Sequence, residues 1–157
     1  HFDHCGGNTV LNDNNEAVPA YPNATYHLSL KQWNNYRKPS LFEASSFFAD
    51  NIEPVYDAGQ LKFVLDDIQL DENISLELYD GHSPGQIAVL FENEDGKYAF
   101  PGDVVPTSLN LQLSWLCAYD NSMVVAMEEK KKFMDKARAD KRTLIFYHDA
   151  YTESAKL

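Results

Sequence analysis

The chain has 157 residues, about the length of one domain. Its 44% hydrophobic and 13% aromatic content is enough to build a core, which argues against a disordered protein. With 13 basic and 24 acidic residues the formal net charge is −11, which argues against nucleic acid or an anionic membrane surface as a partner. The apolar runs are too short to span a bilayer, and two cysteines do not make a disulfide scaffold.

The first part of the chain predicts loops followed by short helices. Residues 5–26 are rich in Gly, Asn, Asp and Pro and predict turns, with at most a short extended piece at 24–27. Ser29 is a suitable helix cap and predicts a helix over residues 30–37 that ends before Pro39. A second short helix is expected over residues 42–48.

From Gly59 onward the pattern becomes that of strands. Alternating apolar residues predict strands over 61–65 and 74–78, and a buried strand over 86–91 is followed by a turn and a return strand at 97–100. Asn121 or Ser122 opens one long helix over residues 123–139, in which the charged run 128–132 predicts a solvated face. A last strand is expected over 143–147. The layout is mixed α/β.

Side chains able to bind a metal cluster at strand ends and in Gly-rich turns. Imidazole and carboxylate groups together suit Zn, Fe or Mn, and loops braced by a sheet are where such ligands are usually held. The candidates are His1, Asp3, His4, His82, Asp103 and His148. His27 lies outside every motif and is expected to be an exposed residue flanking a helix.

Four short motifs occur in one order along the chain: HFDHCGG at 1–7, DGHSPGQ at 80–86, FPGDVVPT at 100–107 and FYHDA at 146–150. In this order they resemble the metallo-β-lactamase superfamily, whose signature is His-x-His-x-Asp-His, a Gly-His turn, a strand ending in Gly-Asp, and a last His. The resemblance implies an α/β fold of the αββα sandwich type. It also implies that residues 1–157 are the C-terminal part of that domain, beginning at the second His of the signature, with the upstream half absent.

The resemblance further implies a ligand set for two divalent metal ions, with zinc the first expectation and manganese or iron the alternatives. His1 and His82 would bind the first ion together with a histidine upstream of this chain. Asp3, His4 and His148 would bind the second ion, and Asp103 would bridge both. A hydroxide between the ions would be the nucleophile. Asp3 and Asp103 are therefore the expected catalytic residues, with Asp3 also orienting the water or moving its proton.

The activity implied is that of a dinuclear metal-dependent hydrolase acting on an ester, lactone or phosphoester-type small molecule. The PGDVVPT segment resembles the branch of acyl-homoserine-lactone lactonases and organophosphate hydrolases. Pro106 departs from the lactonase pattern, because some lactonases have a tyrosine three residues after the bridging Asp. The 157 residues alone are expected to be inactive and to need the upstream segment or a second copy to complete the fold. A cytoplasmic location is expected.

Several alternatives stay open at this point. The chain could be a non-catalytic truncated fragment, or a di-iron oxidoreductase of the same superfamily, and its metal content would discriminate between these. Asp80 could orient the His82 imidazole or cap a turn. Residues 111–119 could line a substrate cleft or pack against the sheet. Cys5 and Cys117 are expected to be small buried thiols.

Overall fold

The computed structural model describes all residues 1–157, which form two compact units, residues 1–64 and residues 65–157. Each unit has its own helices and strands. No helix in either unit combines the length and the apolar character that crossing a bilayer requires.

The first unit contains three helices and four strands. The helices are α1 (Phe2–Cys5), α2 (Leu30–Arg37) and α3 (Glu53–Asp57), and the strands are β1 (Thr9–Leu11), β2 (Ala17–Pro19), β3 (Tyr26–Ser29) and β4 (Leu61–Val64). Strands β1 and β2 form an antiparallel pair. Strands β3 and β4 pair in parallel, with α2 and α3 in the connection between them.

Helix α2 begins and ends where the sequence predicts. The Ser29 hydroxyl accepts a hydrogen bond of 3.0 Å from the Gln32 backbone amide, which satisfies one of the unpaired N–H groups of the first turn. On this helix the Trp33 ring stacks on Tyr56 at 4.8 Å and contacts Phe63 of β4 at 5.5 Å. These aromatic contacts tie α2 to α3 and to the parallel strand pair.

Other predictions for this unit are wrong. Residues 42–48 contain only a single 3-10 turn at Ala44–Ser46, because the Glu43 side chain is buried and accepts a hydrogen bond of 3.0 Å from Asn35 of α2. The extended segment begins at Tyr26 rather than residue 24. His27 is half-buried on β3 instead of being an exposed helix flank, and burial lowers the pKa of its imidazole.

The second unit is a six-stranded sheet with one long helix. The strands are β5 (Ile68–Gln69), β6 (Ile74–Tyr79), β7 (Gln86–Asn93), β8 (Gly96–Phe100), β9 (Thr143–Ile145) and β10 (Ser154–Lys156), and the helix is α4 (Met123–Ala139). The strand order is β10-β9-β8-β7-β6-β5, in which only β8 and β9 run parallel. The predicted mixed α/β layout is confirmed.

One face of this sheet forms the core with α4. Because side chains alternate along a strand, every second residue of β6 to β9 faces the helix. The Tyr79 ring meets Phe133 of α4 edge-on at 5.9 Å. The members of this core from the sheet and the helix are Tyr79, Ala88, Leu90, Ala99, Leu144, Phe133, Met134 and Ala137.

The opposite face of the sheet, called the second face below, is also apolar. Paired residues of antiparallel strands share a face, so Ile74, Phe91 and Tyr98 lie in one row across β6, β7 and β8. The Phe91 and Tyr98 rings stack at 5.2 Å. The other members of the second face on these three strands are Leu76, Leu78, Ile87, Val89 and Phe100. A sheet with apolar residues on both faces is typical of a central layer.

Helix α4 has the predicted bounds and is capped by Ser122, whose hydroxyl accepts from the Val125 amide at 3.5 Å. Its first turns are open to water, since Met123 and Met127 are 55% and 39% exposed. The last predicted strand ends at Ile145 rather than residue 147. The sequence analysis missed β5 and β10, which are too short to show a period.

Candidate metal centre

The turn that carries His82 is fixed by helix α4. This turn, residues 80–85, joins β6 to β7. The Glu129 carboxylate of α4 accepts hydrogen bonds from the backbone amides of Asp80, at 2.9 Å, and of Gly81, at 2.7 Å. A Cβ at Gly81 would lie 2.3 Å from the Ala126 Cα, so only glycine permits this approach of turn and helix.

Two residues of the charged run in α4 therefore do not belong to a solvated face as predicted. Glu129 holds the His82 turn. Lys130 is only 1% exposed, and its ammonium donates to the backbone carbonyls of Gln112 and Trp115 at 2.8 and 2.7 Å. Helix α4 thus anchors both the His82 turn and the segment that carries Trp115.

The His82 imidazole lies between two carboxylates. Its Nε2 atom is 3.1 Å from Asp103 Oδ2, and its Nδ1 atom is 2.9 Å from Asp120 Oδ1. The three side chains are 6%, 9% and 4% exposed, respectively. Burial by itself would lower the pKa of His82, but the hydrogen bonds to Asp103 and Asp120 raise it to about 9.

Asp103 follows β8 in a short 3-10 helix, Gly102–Val104, that redirects the chain at the sheet edge. Gly102 has a φ of +54°, a left-handed conformation that favours glycine. The second carboxylate oxygen of Asp103, Oδ1, lies 3.3 Å from His148 Nε2. One buried carboxylate thus contacts His82 through one oxygen and His148 through the other.

His148 follows β9 and is held by its backbone and by its neighbour. The His148 amide donates to the Pro106 carbonyl at 3.1 Å. The adjacent Asp149 accepts from the Ser108 amide and hydroxyl at 2.8 and 2.5 Å. The hydrogen bonds from Ser108, followed by those from Tyr151 and Thr152, lower the pKa of the Asp149 carboxyl. These contacts link the segment after Asp103 to the segment that carries His148.

Asp120 is the functional candidate that the sequence analysis missed. The sequence left open whether Asp80 orients the His82 imidazole or caps a turn. In the structure its carboxylate accepts a hydrogen bond of 2.9 Å from the Gly85 amide, which closes the turn. Asp120 instead contacts the His82 ring. Its position directly before Asn121 and the capping Ser122 is the signal that could have been noticed, because residues before a helix start are well placed to accept hydrogen bonds.

The predicted ligands of the first unit lie at its N-terminus. His1 Nε2 is 3.0 Å from Glu43 Oε1, and His4 Nε2 is 3.6 Å from Asp3 Oδ2. Asp3 and His4 lie on the four-residue helix α1, with side chains 34% and 25% exposed. Cys5 is half-buried rather than fully buried, and burial raises the pKa of its thiol.

A pocket in the second unit opens beside His82 and Asp103. Its lining includes Trp115, Leu116 and Cys117. These belong to the segment 111–119, for which the sequence left open whether it lines a cleft or packs against the sheet. Trp115 is 54% exposed and the nearby Tyr119 is 71% exposed, so this segment packs only in part. Cys117 is half-buried, not fully buried as expected.

The donor set fits a transition-metal or zinc site. Imidazole nitrogens and carboxylate oxygens are the ligands that Zn, Mn and Fe accept. The second unit brings His82, Asp103 and His148 together, whereas His1, Asp3 and His4 are neighbours in the first unit. Whether these two groups of side chains share one centre stays a prediction.

The sequence profile of the Metallo-beta-lactamase superfamily matches residues 1–154 of the chain. No protein with a curated function matches the chain. Several solved structures are similar to it. A probable metal-dependent hydrolase from Staphylococcus aureus has a TM-score of 0.81 at 22% identity, over 88% of this chain and 50% of that one.

Two further solved structures extend the comparison. AidC, a dizinc quorum-quenching lactonase with a bound product, has a TM-score of 0.73 at 17% identity, over 94% of this chain and 54% of that one. The hydrolase AbOPH of the beta-lactamase superfamily has a TM-score of 0.67 at 18% identity, over 88% of this chain and 52% of that one. The chain therefore spans about half the length of the solved structures that it matches.

Proposed function

Because the chain belongs to the metallo-beta-lactamase superfamily, we propose that it provides most of the ligands of a dinuclear metal-dependent hydrolase. The observation that carries the proposal is the Asp103 carboxylate, whose two oxygens lie 3.1 and 3.3 Å from His82 Nε2 and His148 Nε2. A carboxylate could bridge two metal ions with one oxygen on each, and each ion would need further ligands on its own side. The arrangement around Asp103 has this pattern.

The proposed ligand groups are those that the resemblance to the family implies. His1 and His82 bind the first ion, and Asp3, His4 and His148 bind the second, with Asp103 shared between them. Zinc is the ion proposed, and the dizinc centre of AidC is a precedent within a similar fold. Glu43, 3.0 Å from His1 Nε2, provides a carboxylate next to the first group.

Two divalent cations at such a centre would lower the pKa of a water molecule and polarise the carbonyl or phosphoryl oxygen under attack. The chain's own residues have the remaining tasks. Asp3 orients the attacking water and accepts its proton. The pocket beside His82 and Asp103 has room for about one water-sized group, and the half-exposed Trp115 at its rim offers an apolar surface to the substrate.

The substrate class proposed is a small ester, lactone or phosphoester. Solved structures similar to the chain include an N-acyl homoserine lactone hydrolase with its product bound, at 17% identity, and the hydrolase AbOPH. Pro106 occupies the position three residues after Asp103, and its carbonyl accepts from the His148 amide at 3.1 Å. Since a proline side chain cannot donate a hydrogen bond to a leaving oxygen, phosphoesters and activated esters are tested alongside lactones.

We also propose that the second face of the sheet packs against further strands, supplied by another segment of the protein or by a second copy. Eight apolar side chains of β6, β7 and β8 form this face, and the buried Leu76 is one of them. The similar solved structures are about twice as long as this chain, which leaves room for such strands. The other seven side chains are half-buried, so the face is only partly covered within the chain, and an apolar face left partly open to water is a liability.

The test is metal content and hydrolysis by the 157-residue chain and by a longer protein that includes any upstream segment, each loaded with zinc or manganese. Lactones, phosphotriesters and thioesters are screened, and the oligomeric state is measured in parallel. Two zinc ions per active protein, lost in Asp103→Asn but kept in the exposed-site control Asp135→Asn, support the proposal. Bound iron with redox activity favours the oxidoreductase alternative, and absence of metal binding favours a non-catalytic protein.

A further inference from the structure

We propose that Asp120 is a positioning residue, which holds the His82 ring so that its Nε2 atom is presented to the metal. This inference rests on the proposed role of His82 as a metal ligand. The family resemblance assigned no role to this carboxylate, because Asp120 is not among the six predicted ligands.

The geometry at Asp120 fixes both of its carboxylate oxygens. Oδ1 lies 2.9 Å from His82 Nδ1, and Oδ2 accepts from the Cys117 backbone amide at 3.0 Å. The Asp120 side chain is 4% exposed, so water competes little for either contact. A carboxylate held at both oxygens has a defined direction, and it transmits that direction to the imidazole.

The neighbouring residue holds the backbone of the same histidine. The Asn121 amide and side chain both donate to the His82 carbonyl, at 3.1 and 2.8 Å. The Ser122 amide donates to the Gly81 carbonyl at 2.9 Å before Ser122 caps α4. Thus Asp120 holds the His82 ring, Asn121 holds the His82 carbonyl, and Ser122 holds the preceding residue, Gly81.

The chemistry of the contact determines the tautomer. Both ring nitrogens face a carboxylate; a cation on the Asp103 side would replace the proton on Nε2, while Asp120 keeps the proton on Nδ1. Nε2 is the nitrogen that lies 3.1 Å from Asp103, the proposed bridging carboxylate. Asp120 thus selects the tautomer that the proposed metal site needs, and it orients the ring toward Asp103.

The structure also defines a rival. His82, Cys117 and Asp120 offer donor atoms that all lie within 4.8 Å of one another, so an ion could bind Nδ1 instead. However, Asp120 Oδ1 and His82 Nδ1 lie at the hydrogen-bond distance of 2.9 Å, and Asp120 Oδ2 already accepts from the Cys117 amide. The short contact between Asp120 and the ring is therefore assigned to a hydrogen bond.

The first experiment uses wild-type protein loaded with cadmium-113 and labelled with nitrogen-15 at histidine. The proposal expects scalar coupling of the cadmium to His82 Nε2 and a protonated Nδ1. Coupling to Nδ1, or a deprotonated Nδ1, would overturn it in favour of the rival site. No variant has to fold for this measurement.

The second experiment measures zinc affinity by competition with a chromophoric chelator. Asp120→Asn should lower the affinity by about 10- to 100-fold, the usual loss when an outer partner of a metal ligand is removed. Asp95→Asn, in an exposed hairpin turn, is the matched control and should leave the affinity unchanged. An unchanged affinity in Asp120→Asn would contradict the proposal.

A double-mutant cycle separates positioning from general damage to the fold. In a His82→Ala background, Asp120→Asn should cause no additional loss of zinc affinity, because Asp120 acts through His82. An equal loss in both backgrounds would overturn the positioning role. If wild-type protein binds no zinc at all, the proposed function fails, whereas zinc binding that is insensitive to Asp120 removes only this inference.

Discussion

Two pairs of candidate ligands, one in each unit, differ in how firmly the chain holds them. His82 and Asp103 are 6% and 9% exposed; Asp120 holds the His82 ring, Glu129 of α4 holds its turn, and Asp103 contacts His82. Asp3 and His4 are 34% and 25% exposed and lie on a four-residue helix whose N-cap makes no side-chain capping bond. The second unit therefore holds His82 and Asp103 more firmly than the first unit holds Asp3 and His4, whereas His148, 39% exposed, and His1, 11% exposed and 3.0 Å from Glu43, reverse that order.

The largest expected effect is that of Asp103→Ala. One carboxylate serves both proposed ions, so its loss should lower zinc affinity by more than the ~10–100-fold that follows removal of an outer partner and abolish hydrolysis. Asp3→Ala removes a ligand of only one ion and should leave one zinc bound per chain. Measured zinc stoichiometry checks the difference. Equal zinc stoichiometry in the two variants would contradict the assignment of Asp103 to both ions and of Asp3 to only one.

Sequence reasoning located most elements of the second unit because their signals are local. The α4 helix has a serine cap and a helical period. Strands β6 to β8 show alternating or continuous apolar residues around a turn. Each of these patterns can be recognised within a few consecutive residues. Asp120 and Glu129 were missed because their roles depend on residues 38 and about 48 positions away, His82 and the turn at Gly81. The position of Asp120 before a helix start marks it as a hydrogen-bond acceptor but does not identify His82 as its partner.

The first unit was harder to predict for a related reason. Its hairpin β1–β2 has strands of only three residues, too short for a periodicity. The helix expected over residues 42–48 does not form because Glu43 turns inward to Asn35 and His1. A buried carboxylate with two long-range partners overrides helix propensity, which differs little among ordinary residues.

The close approach of the His82 turn to α4 gives the next prediction. Gly81→Ala places a Cβ 2.3 Å from the Ala126 Cα, so turn and helix must separate. We expect a loss of about 3 kcal/mol in the free energy of unfolding, the upper range for overpacking. Gly7→Ala in the first unit is the matched control, because nothing lies within 4 Å of its added Cβ. Urea denaturation of both variants tests whether the anchoring of His82 is as tight as the distances indicate.

Lys130→Met tests the second anchor of the same helix. The variant removes the donor to the Gln112 and Trp115 carbonyls, and we expect a loss of about 1–2 kcal/mol, as for a buried hydrogen bond left unmade. Lys132→Met, at an exposed position of α4, should change stability by less than about 0.5 kcal/mol. Equal unfolding midpoints for the two variants would show that Lys130 does not hold the Trp115 segment.

Lys130 should also leave a signature in the pH dependence of stability. Burial lowers the pKa of its ammonium in the folded state, partly offset by the charge of Asp120. The unfolded chain then binds the proton more tightly, so the contribution of Lys130 to stability rises with pH in the window below its unfolded pKa of about 10.4. Comparison of wild type with Lys130→Met across this window should show the rise only in wild type.

The smallest expected effect belongs to His27 on β3 of the first unit. It lies outside the proposed ligand set, so His27→Ala should leave zinc affinity and hydrolysis within a few-fold of wild type.

The same residue should affect the pH dependence of stability. The buried Nδ1 atom of His27 has no hydrogen-bond partner, and burial, aided by the charge of Lys62, lowers the pKa of the imidazole. The unfolded chain therefore binds a proton more readily than the folded one, and wild type should lose stability as the pH falls below about 6.5. His27→Ala should reduce that acid loss, as unfolding midpoints at neutral and acidic pH would show. A large loss of zinc affinity in this variant would mean that the first unit's contribution to the centre extends beyond His1, Asp3 and His4.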